Sequence, residues 1–377
     1  MFTVGMSFPA AACRCPAVCG CRDCQERRID ICHAWAFALS VLTIWAMLRP
    51  RADRWATGKI SHAFFILYLR KRKTNPRKEG KCIRNRTERP PQGMQPTAKY
   101  TFSGHESFAC KSLWLKKGYD FIKNGYNFNA PDAVVRLGVG KNMVASIRYW
   151  MKAFGMTRND LLTGTARILL DSETGYDPYL ESLGSLWLLH YLLVTTKEAT
   201  LYHLLFTRLQ KERLSFDRQH LLALAKRAMT EDGKLKSFNE NTVKKDINVL
   251  LSNYVLPQNS NNTDEYAALL IDLDLLRTTD GKTFLFNIEG KRSVPPDLFL
   301  YAILKEKGND SSVGYDTLQN IGLVFCMNDI ATVTTLLTLQ EQYPDHIRYS
   351  DTAGVRQLQF TNTISPETAL AHYFSEQ

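Results

Sequence analysis

The sequence predicts a mainly α-helical protein with small β wings, an α+β fold of tandem winged helix-turn-helix modules. Two segments, 131–156 and 217–254, each contain two amphipathic helical patterns separated by a short turn. A third segment, 267–291, has two apolar stretches on either side of Asp280-Gly281, a dipeptide typical of a tight β hairpin. A helix pair followed by a hairpin is what a winged helix requires.

Residues 1–93 differ from the rest of the chain in charge and in cysteine content. They hold 18 Lys and Arg against 6 Asp and Glu, and seven of the nine cysteines. Cys21 and Cys24 form a CxxC pair without a second pair at zinc-binding spacing, and the apolar run 34–48 is shorter than a membrane-spanning helix. We therefore expect either upstream sequence translated from a start codon placed before the true start, Met94, or a disordered basic extension.

The other 284 residues are nearly neutral, with 30 Lys and Arg against 31 Asp and Glu. Any DNA binding must therefore depend on local clusters of cations rather than on net charge. Only two cysteines occur here, which favours a reducing cytoplasm, and we predict no membrane segment. We predict three winged-helix-like modules: a DNA-binding one at 94–195, a second with a hairpin wing at 196–295, and an interaction module at 296–377.

The first helix of the body is predicted from about His105 to Lys123. Ser103 lies three residues before Glu106, the spacing of a capping box in which each side chain satisfies a backbone N–H at a helix start. His105 and Glu106 also suggest a catalytic base with a carboxylate partner. The capping box explains Ser103 and Glu106 without catalysis, so both interpretations stay open.

The segment 131–156 predicts a helix-turn-helix with a glycine-bearing turn at 138–140. In its second helix, one face is apolar, and the opposite face carries cations that suit DNA phosphates. The apolar stripe contains Met143, Ile147, Trp150 and Phe154. The predicted DNA-binding residues are Lys141, Arg148 and Lys152, with Asn142 at the margin of this face. The alternative is a solvated helix in a protein-binding winged helix.

The segment 217–254 repeats this design. Ser237 and Glu240 have capping-box spacing at the start of its second helix, whose predicted apolar stripe is Val243, Ile247, Leu250 and Tyr254. The opposite face offers amide and ammonium groups of the kind that contact bases or phosphates. The predicted DNA-binding residues are Asn241, Lys244, Lys245 and Asn248. A plain solvated face is again the alternative.

The predicted hairpin at 267–291 also contains a possible nuclease pattern. Asp280, Glu289 and Lys291 form a D…ExK set, in which two carboxylates hold Mg²⁺ or Mn²⁺ and a lysine lies near the attacked phosphate. Such enzymes need the aspartate on a core strand, whereas Asp280 lies in the turn. The alternative interpretation is a simple wing.

The last segment predicts a third module that does not touch DNA. Its helix 329–342 has an expected exposed face with Asp329, Thr332 and Gln340 and without a cation, which favours a homodimer or partner surface. Elsewhere, the body has no phosphate-binding loop, dinucleotide fingerprint, HExxH or GxSxG motif. An NTPase, a dinucleotide enzyme and a serine hydrolase are therefore disfavoured.

Several strings from residue 99 onward resemble the bacterial DUF4007 family. They are YTFSGHESF at 100–108, AVVRLGVGKNMVASIRYWMKAFG at 133–155, DPYL at 177–180 and DTAG at 351–354. The resemblance implies a DNA phosphorothioation and antiphage defence system, with a phosphoadenosine-phosphosulfate-reductase-like sulfur-transfer enzyme and other phosphorothioation proteins as partners. It also implies DNA nicking, although no family motif assigns the nicking residues. A noncatalytic DNA-binding regulator or scaffold is the alternative.

Overall fold

The computed structural model describes residues 99–257, 268–288, 293–352 and 354–377. The expectations for residues 1–93, and the candidate residues Glu289 and Lys291, lie outside these ranges. The described chain is rich in helix and carries three small antiparallel sheets. This confirms the predicted α+β class.

The first part of the described chain is a helical group with a short hairpin. Gly138, at φ 65°, ends the second helix and turns the chain toward the third, as a glycine-bearing turn allows. A long apolar helix then follows. The elements are α1 (Trp114–Lys123), α2 (Ala133–Leu137), α3 (Lys141–Ala153), β1 (Thr157–Arg158), β2 (Leu161–Leu162), α4 (Gly164–Leu170) and α5 (Leu183–Thr195).

The middle part begins with a helix whose central turn is π-helical. Its sheet has the strand order β3-β5-β4, with both pairs antiparallel. The elements are α6 (Thr200–Leu204), the π-helical turn Leu205–Leu209, α7 (Gln210–Glu212), β3 (Ser215–Phe216), α8 (Arg218–Glu231), α9 (Glu240–Tyr254), β4 (Leu276–Arg277) and β5 (Phe284–Phe286). The Asp280-Gly281 turn joins β4 to β5, so the predicted hairpin is confirmed.

The last part repeats the same order of elements: helix, strand, two helices, then two strands. Its sheet has the equivalent order, β6-β8-β7, and Tyr349 of β7 pairs with Leu358 of β8. The elements are α10 (Pro296–Lys307), β6 (Ser312–Gly314), α11 (Tyr315–Val324), α12 (Asp329–Gln342), β7 (Ile347–Thr352), β8 (Val355–Phe360) and α13 (Pro366–Ser375).

One continuous hydrophobic core runs through all three parts, from Cys110 to Tyr373. His190 of α5 packs against the core residues Trp187, Phe206 and Tyr254 and is fully buried. Its Nε2 donates to the carbonyl oxygen of Val324 at 2.6 Å, so its Nδ1 accepts from the hydroxyl of Tyr254 at 2.8 Å. Both ring nitrogens are satisfied, as expected for a core histidine.

Both predicted apolar stripes face this core. Ile147, Trp150 and Phe154 of the first stripe are fully buried, and Met143 is half-buried. The four residues of the second stripe, Val243, Ile247, Leu250 and Tyr254, are also buried. The helical periodicity therefore predicted correctly which side of α3 and of α9 faces the core. The opposite side of each helix is the one available to a ligand.

Both predicted capping boxes are wrong. The first helix begins at Trp114, and Ser103 and Glu106 lie in a loop with φ values of 70° and 48°. That left-handed backbone is incompatible with a helix N-cap, which is extended. At the start of α9 the N-cap is Asn239, whose side chain accepts from the N–H of Thr242 at 3.0 Å.

The expected exposed face of α12 needs one correction. Thr332 is only 1% exposed, because it packs against Gly322 of α11. The exposed side of α12 instead carries Ile330 and Leu337, which are 78% and 46% exposed.

Among the described helices, none alone combines the length and the apolar composition needed to cross a membrane. The pair formed by Tyr315–Val324 and Asp329–Gln342, bent by 107°, meets those criteria only jointly.

Candidate nucleic-acid interface

The loop that contains His105 lies before α1 in the chain and is hydrogen-bonded to both α3 and α9. His105 is buried, and its Nε2 lies 3.0 Å from Oδ1 of Asp246 in α9. The backbone N–H of Ser103 donates to the other oxygen of the same carboxylate at 2.7 Å. On the α3 side, the hydroxyl of Ser146 donates to the carbonyl oxygen of His105 at 2.8 Å. One carboxylate and one hydroxyl therefore hold this loop between the two helices that were predicted to bind DNA.

The hydrogen bonds of His105 fix its tautomer. The backbone N–H of Ser107 donates to Nδ1 at 3.2 Å, so the proton of the neutral ring is on Nε2 and is donated to Asp246. Both ring nitrogens are thus engaged within the protein. Glu106, the predicted carboxylate partner, is exposed and is not the partner of His105. This arrangement positions the loop and leaves no ring nitrogen free to accept a proton from a substrate.

Asp246 is the residue that the sequence analysis missed. It is only 7% exposed and lies among the buried residues Val243, Ile247 and Leu250 of α9. A carboxylate on the apolar face of an amphipathic helix must find hydrogen-bond donors when it is buried. A carboxylate at a core-facing position of α9 therefore predicts a buried hydrogen-bond donor nearby. The sequence alone did not identify His105 as that donor.

Gly104 allows the loop to lie close to α3. Its φ is 102°, and a Cβ at this position would lie 2.7 Å from Cδ2 of Tyr149. The rings of Tyr149 and Trp150 also contact the His105 ring, at centroid distances of 5.6 and 6.2 Å. A glycine is needed here both for the backbone conformation and for the contact with Tyr149.

Two of the three cations predicted on α3 are held in ion pairs. Arg148 donates to both oxygens of Asp160, with Nε at 2.9 Å from Oδ1, and this contact lowers the pKa of Asp160. Lys152 lies 2.9 Å from Glu198. Lys141, at the first turn of α3, is exposed and has no partner among the described residues. Of these cations, Lys141 is therefore the most available to a phosphate.

On the predicted DNA-binding face of α9, some polar side chains are likewise engaged by other residues and some are not. Lys244 pairs with Glu240 at 2.6 Å and lowers the pKa of that carboxyl group. Asn248 accepts a hydrogen bond from Arg218, whereas Asn241 and Lys245 are exposed and have no partner within the part of the chain that the structure describes. Among the described residues of this face, Lys245 and Asn241 are thus the cation and the amide that no other side chain engages.

An open cavity of about 720 Å³ lies between the His105 loop, α9 and the β4–β5 hairpin. Its polar lining combines two cations with hydroxyl and amide groups, and no described lining residue carries a carboxylate. The polar lining residues are Ser107, Lys111, Arg218, Asn248, Ser252 and Thr278. An open site whose described lining has cations and hydrogen-bond donors and no carboxylate suits an anionic ligand.

Arg218, at the first turn of α8, links the hairpin to α9. Its Nε donates to Oδ1 of Asn248 at 3.1 Å, and its Nη1 donates to the carbonyl oxygen of Gly281 at 2.8 Å. The guanidinium also lies 5.1 Å from the centroid of the Phe284 ring. Arg218 therefore fixes the hairpin beside α9 and brings a cation into the cavity. Sequence analysis missed it because its partners are 30 and 63 residues away along the chain.

Asp280 stabilises the hairpin turn. Its Oδ1 accepts from the backbone N–H groups of Thr283 at 2.8 Å and of Lys282 at 2.9 Å, and these bonds lower its pKa. Its Oδ2 has one long contact, 3.4 Å, with the hydroxyl of Thr283. Asp280 is exposed, and the other members of the predicted nuclease set lie outside the described residues.

One group of three close metal-ligating side chains occurs in the described ranges: Asp297, His372 and Glu376. The carboxylate of Asp297 is already engaged, because Oδ1 accepts from Tyr343 and Oδ2 lies 3.2 Å from Nδ1 of His372. Mg²⁺ prefers an octahedral set of oxygen ligands with several waters. A buried carboxylate with both oxygens engaged, beside an imidazole, fits Mg²⁺ poorly.

A sequence profile of the DUF4007 family, described as a protein of unknown function, matches residues 102–374. The chain belongs to the DUF4007 family. The resemblance predicted from the FSGHE string and the strings after it is therefore confirmed. No curated protein matches the chain.

Two solved structures are similar to this DUF4007 chain. A crystal structure of SspB shares 29% sequence identity with it, with a TM-score of 0.65. A magnesium ion-bound crystal structure of SspB shares 27% identity, with a TM-score of 0.64. Each match covers 74% of this chain and 88% of the other. The similarity therefore extends over most of the SspB fold.

Proposed function

We propose that this DUF4007 protein is the DNA-binding component of a bacterial DNA phosphorothioate modification and antiphage defence system, in which it nicks DNA to allow sulfur incorporation. The observation that carries DNA binding is the cavity between α9 and the β4–β5 hairpin, which has Lys111 and Arg218 in its lining and no carboxylate among its described lining residues. The similarity to SspB and the family membership support the phosphorothioation setting. The sulfur-transfer enzyme and other proteins of the system would be its cytoplasmic partners.

The order of elements supports a winged-helix interpretation of the middle part. A helix, a strand, two helices and two strands, with the first strand paired to the last, match the arrangement of a winged helix. In this interpretation α9 is the recognition helix and β4–β5 is the wing. Asn241 would contact base edges, and Lys245 and Lys141 would contact phosphates. The sugar-phosphate backbone of the DNA would run past Arg218.

The ion pairs reduce the expected contributions of Arg148, Lys152 and Lys244. Each would have to exchange a carboxylate for a phosphate, so the net gain is smaller than for an unpaired lysine. Lys141 and Lys245 release only water and counterions when they meet a phosphate. We therefore place them ahead of the paired cations in the proposed interface, with Asn142 and Asn248 as secondary contacts.

Nicking is the second step of the proposal. Asp280, Glu289 and Lys291 remain the candidate metal-dependent set, with Oδ2 of Asp280 as its available oxygen. In the metal-independent alternative, with His105 and Glu106, His105 would first have to break its hydrogen bond with Ser107 or with Asp246 to act as a base. The group formed by Asp297, His372 and Glu376 fits Mg²⁺ poorly and takes no part in the proposed nicking. The magnesium-bound SspB structure makes Mg²⁺ the first ion to supply, followed by Mn²⁺.

A second candidate function is a noncatalytic DNA-binding scaffold that recruits the sulfur-transfer enzymes. The engagement of both His105 nitrogens favours it, as does the role of Asp280 in the turn. The exposed Ile330 and Leu337 on α12 would then belong to a partner or homodimer surface.

DNA binding is tested by a salt titration with the full chain and a short duplex. Lys245→Ala should weaken binding and lower the slope of log K against log salt by about 0.9, the value for one lost phosphate contact. Lys305→Ala is the matched control, because Lys305 is a partly exposed lysine of α10 in the last part of the chain. Equal effects of the two substitutions would contradict the proposed interface.

Nicking is tested by relaxation of a supercoiled plasmid, with Mg²⁺, Mn²⁺ or EDTA. Loss of nicking in EDTA, together with its loss in Glu289→Ala while DNA binding persists, would support the metal-dependent set. Binding without nicking under every condition would leave the scaffold as the function.

A further inference from the structure

The end of α13 carries a histidine and a glutamate one helical turn apart. His372 and Glu376 are four positions apart, so their side chains lie on the same face of the helix. Nε2 of His372 lies 3.6 Å from Oε1 of Glu376, and the two side chains are 34% and 60% exposed. Neither residue belongs to the proposed DNA interface.

A buried carboxylate orients the ring of His372. Oδ2 of Asp297, in the first turn of α10, lies 3.2 Å from Nδ1, and the Asp297 side chain is only 4% exposed. The hydroxyl of Tyr343 donates to the other oxygen of this carboxylate. A flipped ring would place a carbon atom against the buried carboxylate, so the hydrogen bond sets the ring orientation. In the neutral ring the proton is therefore on Nδ1, and Nε2 offers its lone pair on the side of Glu376.

Proteins use this arrangement to orient a metal-binding histidine. A ligating imidazole commonly donates its other ring N–H to a carboxylate, which fixes the ring and raises its basicity. A tetrahedral zinc ion holds nitrogen and oxygen ligands at about 2.0–2.2 Å, so two of its ligand atoms lie about 3.3–3.6 Å apart. The distance between Nε2 of His372 and Oε1 of Glu376 agrees with that separation.

The donor atoms and the position in the helix both indicate the class of ion. An imidazole nitrogen beside a carboxylate oxygen favours Zn²⁺, whereas Mg²⁺ prefers a shell of oxygen ligands alone. The carbonyl groups at a helix C-terminus carry partial negative charge, which favours a cation there. The last turn of α13 contains His372 and no lysine or arginine, so no side chain with a permanent positive charge occupies that turn.

We propose that His372 and Glu376 bind one Zn²⁺ ion, with Asp297 as the residue that orients the histidine and with water in the remaining coordination positions. The ion would stabilise the end of α13. The neighbouring residue Tyr373 accepts a hydrogen bond from the backbone N–H of Gly184, at the start of α5, at 3.1 Å. The site would therefore strengthen the contact between α13 and the first part of the described chain.

The test is protection of His372 from diethyl pyrocarbonate in the full chain, with Zn²⁺ added up to about 1 mM. The reagent acylates an accessible, unprotonated imidazole nitrogen, so a zinc ion on Nε2 should block the reaction. Mass spectrometry of the peptide that contains His372 reads this site alone, and zinc held by the cysteines of residues 1–93 does not contribute. We expect full protection of His372 at saturating Zn²⁺.

Glu376→Gln is the key variant, because its side chain is exposed and folding is not at risk. It should raise the Zn²⁺ concentration for half protection at least about tenfold, since it removes a ligand. Asp297→Asn should raise it about tenfold, provided that circular dichroism shows an unchanged helix content. Glu367→Gln, at the other end of α13 and 58% exposed, is the matched control and should behave as the wild type does.

Three results would overturn the proposal. The first is unprotected His372 at about 1 mM Zn²⁺, which would leave the contact with Glu376 as an ion pair only. The second is protection of Glu376→Gln at the same Zn²⁺ concentration as the wild type. The third is equal protection by Mg²⁺, which would contradict the assignment to a transition metal.

Discussion

The hydrogen-bonded pair formed by His105 and Asp246 should stabilise the fold, and a double-mutant cycle can measure how much. His105→Ala removes one of the two donors to a carboxylate that is only 7% exposed. An unpaired buried acceptor costs about 1–3 kcal/mol, and truncating the buried ring adds about 2 kcal/mol. We expect His105→Ala to lower the free energy of unfolding by about 3–5 kcal/mol in total.

Asp246→Ala should cost about 2–4 kcal/mol, because it leaves the donors of His105 and Ser103 without their acceptor. The double variant should cost about 1–2 kcal/mol less than the sum of the two single ones, since both remove the same hydrogen bond. Urea unfolding of the full chain, followed by circular dichroism, gives these values. His220→Ala is the reference: its ring is 42% exposed and accepts a hydrogen bond from the backbone N–H of Asp217 in the capping box of α8, so the substitution should cost about 1 kcal/mol, less than His105→Ala.

Two outcomes would refute this reasoning. The first is additivity of the two substitutions within about 0.5 kcal/mol, which would show that the side chains do not interact. The second is a His105→Ala protein that is as stable as His220→Ala but has lost nicking, which would make His105 catalytic. Nicking that falls only in parallel with the folded fraction would agree with the structural role.

The remaining predictions concern single substitutions. Gly104→Ala should destabilise the protein by at least about 1–2 kcal/mol, because φ is 102° and the new Cβ would meet the ring of Tyr149. Urea unfolding measures this change. Gly125→Ala is the control and should cost less, because Gly125 also has a positive φ but open space around its Cβ position. Hydrogen bonds from Lys123 and Tyr119 hold the pKa of Asp171 well below its usual range. Its contribution to stability is therefore present above pH ~4 and is lost as the pH falls toward the folded pKa, so Asp171→Asn should lose less stability than the wild type between about pH 5 and pH 2. A similar acid sensitivity in both proteins would contradict this assignment. Arg218→Ala should weaken DNA binding about tenfold or more, because it removes a cation and frees the hairpin, whereas Lys305→Ala should leave affinity unchanged in the same titration; equal affinities would remove Arg218 from the interface.

The sequence by itself determined the helical periodicity and the main turns. Burial of Ile147, Trp150 and Phe154 along α3 followed from their 3.6-residue spacing, since an amphipathic helix must cover its apolar face. The Asp280-Gly281 hairpin followed from local turn chemistry. Family membership followed from the FSGHE string and the strings after it.

The capping-box predictions were wrong because the same short pattern of residues occurs in more than one local structure. Ser103 and Glu106 have capping-box spacing, but the loop has a left-handed backbone that contacts with α3 and α9 hold in place. Those contacts join residues more than 40 positions apart. A local pattern does not contain them, so tertiary packing overrode the local preference.

Only the tertiary structure decided which polar groups are free. The sequence shows Lys141, Arg148 and Lys152 as equivalent cations on one face, but Asp160 and Glu198 approach from other segments and pair with two of them. It shows Gln210 as an ordinary polar residue, yet the fold buries its amide, and Nε2 has no hydrogen-bond partner among the described residues. Hydrogen bonds and ion pairs depend on distances of about 3 Å between atoms, and only the folded backbone sets those distances.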